Sequence, residues 1–172
     1  MTRLLLAIVL AVTAAGLTAG SGSTATSKST YFVFTEPTTT AAGNGATIET
    51  ELAGSFDVAA KTADASGSYD SAAIGSGTFS LTRLIAFQFY GCGFFEDIDL
   101  HDPTLCGGRA LYGVHFTPTG GRPGFDGTLE VNCQIHGADN QAPPGTSEGV
   151  KVNTRGINFN KHITGDNVFI SP

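Results

Sequence analysis

Three residues between Cys92 and Cys106 combine metal-binding side chains with a spacing that could bring them together. Asp97, Asp99 and His101 occupy alternate positions of the sequence. In an extended chain, alternate side chains point to the same side of the backbone. Carboxylate oxygens suit calcium, whereas an imidazole nitrogen shifts the preference toward zinc or another transition metal. The spacing therefore indicates a candidate calcium or zinc site at Asp97, Asp99 and His101.

The EF-hand pattern does not extend over this stretch. Asp102 stands where that calcium loop requires glycine, and Gly108 stands where it requires glutamate. The alternative interpretation is an acidic, solvated surface loop that joins two strands. The metal hypothesis therefore depends on one geometric condition, which is that the three side chains face the same way.

The chain contains three cysteines, an odd number. In an exported chain a disulfide is the default, and one bridge with one free thiol is the simplest arrangement. A Cys92–Cys106 bridge would close a loop of about 15 residues, worth roughly 3 kcal/mol on the chain-entropy model. Cys133 would then be free, or it could instead pair with either of the other two. A zinc cluster of all three cysteines with His136 is a further alternative.

Two adjacent phenylalanines, Phe94 and Phe95, precede the acidic residues. If the chain is extended here, one of the two rings must face outward, where it could bind a protein partner or a sugar ring. In the alternative, both rings fold under the loop as a small separate core. The absence of tryptophan weakens the carbohydrate interpretation.

Zinc-protease and phosphate-binding motifs are missing from the sequence. It has no H-E-x-x-H, P-loop or G-x-G-x-x-G pattern. His115 alternates with apolar residues, which is typical of a hydrogen-bonded sheet residue rather than a catalytic base. We therefore expect a non-catalytic protein with a structural or binding role, and a secreted metal-binding protein or metal-dependent enzyme is the alternative.

The N-terminus has the three regions of a secretory signal peptide. Arg3 supplies a positive charge, Leu4–Val12 is apolar, and small residues follow as far as Gly20. We expect residues 1–20 to be removed, residues 21–30 to form a flexible polar leader, and residues 31–172 to form one domain. The mature protein should be secreted and should not remain in the membrane.

The charge balance disfavours two classes of partner. The chain has 9 Lys and Arg against 15 Asp and Glu, a formal net charge of −6. Nucleic acids and anionic membranes require basic patches, so we expect neither as a partner. A protein or glycan partner remains compatible with this charge.

Alternating apolar residues predict an all-β fold. Thr78–Tyr90 is the strongest candidate strand, and its length predicts a bulge near Arg83. Arg109–Thr117 and Thr128–Ile135 alternate as well, whereas Glu36–Gly45 is interpreted as a loop and Lys61–Ser68 as a turn. About seven to nine strands joined by turns rich in glycine and proline predict an antiparallel β-sandwich, with a small closed barrel as the alternative.

Overall fold

The all-β prediction is confirmed by the computed structural model, which describes residues 29–95, 98–134 and 142–172, with the backbone alone for residues 94–95 and 98–103. The described residues form nine strands and one short 3-10 helix, Thr119–Gly121. The strands are β1 (Thr30–Ala42), β2 (Thr47–Asp57), β3 (Thr62–Ser71), β4 (Gly75–Phe95), β5 (Ile98–Pro118), β6 (Phe125–Cys133), β7 (Gly149–Thr154), β8 (Ile157–Thr164) and β9 (Asn167–Ile170).

Hydrogen bonds close the antiparallel sheet into a ring, an arrangement consistent with the predicted antiparallel β-sandwich and with its closed-barrel alternative. Each strand from β1 to β8 pairs with its neighbour in sequence, and the second half of β1 pairs with β8. The last strand, β9, pairs with the first half of β1 and with Leu105 and Cys106 of β5. It therefore bridges β1 and β5 beyond the ends of β6 and β8.

Aromatic side chains fill the interior of the ring. The Phe56 ring lies 5.1–5.7 Å from its neighbours, which are Tyr31, Phe87, Tyr112 and Phe169. A second group surrounds Phe116, and its members are Tyr69, Phe79 and Phe125. A ring of about eight strands is just wide enough for side chains to fill it. Any partner must therefore bind at the outer faces or the rims.

Bulges in β4 change which of its residues face the core. The strand pairing shifts between Leu81 and Arg83, where the sequence predicted a bulge, and again between Leu84 and Ala86. Simple alternation would put Ile85 in the core and Leu84 outside. The opposite is observed, since Leu84 is 2% exposed and Ile85 is 37% exposed. One extra residue in a strand moves the following side chains to the other face.

Two segments that the sequence analysis interpreted as a loop and a turn are strands. β1 continues through Thr38 and Thr40 to Ala42, and Pro37 lies at its pairing irregularity, where a missing N–H is tolerated. The Thr40 hydroxyl is buried and donates to the carbonyl of Val150 at 2.5 Å. Threonine suits a strand when its hydroxyl is paired, so the polar composition was misleading. Likewise β3 covers most of the predicted turn at 61–68.

Candidate functional site

The stretch from Cys92 to Cys106 is the end of a β-hairpin rather than an irregular excursion. β4 and β5 continue into it on both sides, and Cys92 lies directly opposite Cys106. The two cysteines form a disulfide with an S–S distance of 1.98 Å, so the first of the predicted pairings is observed. Because both thiols are used in this bond, the zinc cluster with Cys133 and His136 is wrong.

The candidate metal ligands fall mostly outside the described part of the chain. Asp97 lies outside the described residues, and Asp99 and His101 belong to β5, where the backbone alone is described. For Phe94 and Phe95, at the end of β4, the backbone alone is described as well. Among the side chains that are described, no three His, Cys, Asp or Glu residues are grouped to hold a metal. The metal site at Asp97, Asp99 and His101 and the binding role of Phe94 and Phe95 remain predictions.

The third cysteine, Cys133, is free and buried, on the apolar side of β6. Its thiol donates to the carbonyl of Asn167 at 3.1 Å. Burial raises the pKa of the Cys133 thiol far above its ordinary value, and the nearby Glu148 carboxylate adds to this effect. A nucleophile or metal ligand needs the thiolate form. Cys133 is therefore an inert core residue.

His115 forms a histidine–carboxylate pair on the outer surface. Its Nδ1 lies 2.6 Å from an Asp126 carboxylate oxygen, directly across from it on β6. Ser80 is opposite His115 on the other side, so the register places serine, histidine and aspartate in one row. However, the other ring nitrogen, Nε2, lies close to Gly124, and the described hydrogen bond of the His115 ring is to Asp126 and not to Ser80. The row is therefore not a catalytic triad, and His115 is the sheet residue that its pattern predicted.

A partly buried carboxylate, Glu148, is a polar feature that the sequence analysis missed. It accepts hydrogen bonds from the backbone N–H of Gln134 at 2.5 Å and from the Asn167 amide at 2.7 Å. Burial raises the pKa of Glu148 to about 7; these hydrogen bonds oppose the shift and Asp166 adds to it. In sequence, Glu148 is one acidic residue in a polar loop. Only the folded chain reveals its burial.

Hydrogen bonds near Glu148 attach the residues that precede β7 to the end of β6. The Asn132 amide donates to the carbonyl of Ser147, and the Gln134 amide donates to that of Thr146, both at 2.5 Å. These bonds and the Glu148 carboxylate hold residues 146–148 against the end of β6 and against Asn167 of β9.

A polar groove of about 400 Å³ lies on the outer faces of β5 to β8. On its floor the Glu130 carboxylate accepts from Arg109 at 2.6 Å and from Lys151 at 3.1 Å. The Glu130 side chain is only 10% exposed. This pair of cations compensates a carboxylate that would otherwise be buried without a partner. The charged side chains of the groove are thus explained by ion pairing within the fold.

The outer face of β1 and β9 exposes large apolar side chains. Phe32 is 42% exposed and Phe34 is 44% exposed, which is high for phenylalanine. Cross-strand pairing places Ile170 beside Phe32 and Val168 beside Phe34. Residues in such pairs share one face of the sheet. We call this surface the β1–β9 face, and its members are Phe32, Phe34, Leu105, Val168 and Ile170.

A cleft of about 410 Å³ begins at the β1–β9 face. Phe34, Leu105 and Val168 provide its apolar walls. Two exposed carboxylates, Glu36 and Asp166, lie at its border, and the Glu36 N–H donates to the Asp166 carbonyl at 3.0 Å. The cleft therefore combines an aromatic ring, aliphatic walls and negative charge. The sequence signal for it is weak, since residues 31–35, YFVFT, have the aromatic and β-branched composition of an ordinary strand.

Comparisons with known proteins give no family for this chain. A scan against protein-family models, a search of curated proteins and a search of solved structures each found no match. Within the described part of the chain, no helix is both long and apolar enough to cross a membrane.

Proposed function

We propose that this chain is an exported, non-catalytic binding module whose contact surface is the β1–β9 face. The observation that carries the proposal is the exposure of Phe32 and Phe34 beside three aliphatic residues. Contiguous exposed apolar surface marks interaction sites, and phenylalanine is enriched in the centres of protein interfaces.

A protein is the partner class that this surface favours. Its members are aromatic and aliphatic, and a glycan site would also need polar groups placed to bind the sugar hydroxyls. Other residues of the same strands face inward and hold the fold, among them Tyr31, Val33 and Phe169. The strands thus use one face for stability and leave the other available for a partner.

Export is part of the proposal and is supported by the N-terminal pattern and by the disulfide, which is typical of oxidising compartments. Sequencing the N-terminus of the protein recovered from the medium tests it. We expect a start near residue 20, and a start at Met1 would contradict cleavage.

The binding proposal is tested by comparing variants secreted by the cells that produce the protein. We expect the native protein to elute with a partner protein at fixed stoichiometry, and Phe32→Thr/Phe34→Thr to lose it, because threonine keeps strand propensity and removes the rings. Ile85→Thr is the matched control, as Ile85 is exposed on β4. If the double variant does not unfold cooperatively, the single Phe34→Thr variant replaces it. Retention of the partner by the folded variant, or elution of the native protein alone, would overturn the proposal.

A further inference from the structure

The charges around the β1–β9 face restrict what can bind there. Among the described residues that line the cleft, Glu36 and Asp166 are charged and none is basic. Neither carboxylate has an ion pair with a described residue, and the chain as a whole carries a formal net charge of −6. A partner with acidic side chains would be repelled, whereas a cationic group would be attracted.

The aromatic ring of the cleft adds to this preference. The Phe34 ring is half exposed, and the face of an aromatic ring attracts a guanidinium or ammonium group. The same chain already uses this contact elsewhere, since the Arg155 guanidinium lies 4.0 Å from the centre of the Phe125 ring.

We propose that the cleft receives an arginine or lysine side chain of the partner, flanked by apolar residues that cover Phe32, Phe34 and Val168. This inference rests on the proposed binding function and specifies the partner's chemistry. The long alkyl part of a basic side chain can pack on the apolar walls while its charged end reaches the carboxylates. A second copy of this chain is disfavoured, because a twofold contact through this face would bring the acidic borders together.

The inference is tested by NMR titration of the isotope-labelled mature protein with three peptides of equal length at low salt. The probes are acetyl-Leu-Arg-Leu-amide, its neutral citrulline counterpart, and acetyl-Ser-Arg-Ser-amide. We expect the first peptide to shift the amide signals of Phe34, Asn167 and Val168. The other two should bind more weakly, because each lacks one of the two interactions.

Charge-removing variants complete the test. Glu36→Gln/Asp166→Asn should weaken binding of the arginine peptide about fivefold, as expected for the loss of two exposed ion pairs. The same variant should bind the citrulline peptide as tightly as the native protein does. The control is Glu49→Gln/Asp70→Asn, which removes the same charge from a cross-strand pair on β2 and β3. Equal binding of the arginine and citrulline peptides at the cleft would refute the cation preference and leave the binding proposal intact. Absence of shifts at the cleft with every peptide would also refute the preference, and the partner-elution comparison would then decide the binding proposal separately.

Discussion

Glu148 is the residue whose environment differs most from what its sequence position suggests. A glutamate carboxyl group has an ordinary pKa of 4.5, and burial raises the pKa of Glu148 to about 7. The nearby Asp166 adds to this rise in the pKa, whereas hydrogen bonds from Gln134 and Asn167 oppose it. Between pH 4.5 and about pH 7, Glu148 therefore binds a proton more readily in the folded chain than in the unfolded chain. The contribution of this group to stability is complete below pH 4.5 and is lost as the pH rises through 7.

Replacing Glu148 with glutamine should remove this pH dependence. As the pH rises from 4.5 to above 7, the native protein should lose stability relative to Glu148→Gln. The unfolding free energy of the variant should exceed that of the native protein by on the order of 2 kcal/mol more at the upper pH than at the lower. Urea unfolding at several pH values measures it. Glu51→Gln, a change on the exposed face of β2, serves as the control and should show no such trend. A difference that stays constant with pH would contradict the assignment.

Asp97, Asp99 and His101 make a second residue-level prediction. If they bind calcium or zinc, the purified protein should contain one metal ion per chain by elemental analysis, or its unfolding temperature should rise on metal addition. Asp97→Asn/Asp99→Asn should abolish either effect, while Glu49→Gln/Asp70→Asn should preserve it. No bound metal and no stabilisation by added calcium or zinc would refute this site.

At the scale of elements, the long β4–β5 hairpin organises the described structure. Its two strands have 21 residues each, and the disulfide joins them near their far end. The sequence predicted the central parts of both strands, because alternation is clear in Arg109–Thr117. It did not predict their extension, because Gly91, Gly93 and Gly107 hide a strand pattern that cross-strand pairing nevertheless maintains.

Removal of the disulfide should destabilise the protein without changing its fold. Cys92→Ala/Cys106→Ala should lower the unfolding free energy by roughly 3 kcal/mol, because a loop of about 15 residues is no longer closed in the unfolded chain. Chemical denaturation measures this loss.

Thiol titration provides the matching control for the disulfide. The native protein should show no rapidly reacting thiol, since Cys133 is buried, and one thiol after denaturation without reductant. Three reactive thiols in the unreduced, denatured protein would contradict the bridge.

At the scale of the whole molecule, the closure of the sheet is the part that sequence could not determine. Alternation in Thr128–Ile135 identifies an inner and an outer face but does not say which strands meet around a ring. Closure depends on β1, whose second half pairs with β8, while the four residues of β9, Asn167–Ile170, connect the first half of β1 to β5. The same limit applies to the β1–β9 face, because Phe32 and Phe34 become part of one apolar surface only once β9 places Ile170 and Val168 beside them.

The central claim is that a partner protein contacts the β1–β9 face, and photo-crosslinking tests it most directly. The photoreactive residue p-benzoyl-phenylalanine would replace Phe32 in one variant and Ile85 in another, both secreted by the producing cells and irradiated in the medium. We expect one defined protein adduct from position 32, suppressed by excess native protein but not by Phe32→Thr/Phe34→Thr, and no such adduct from position 85. Identical adducts from both positions, or no adduct from position 32, would contradict the claim.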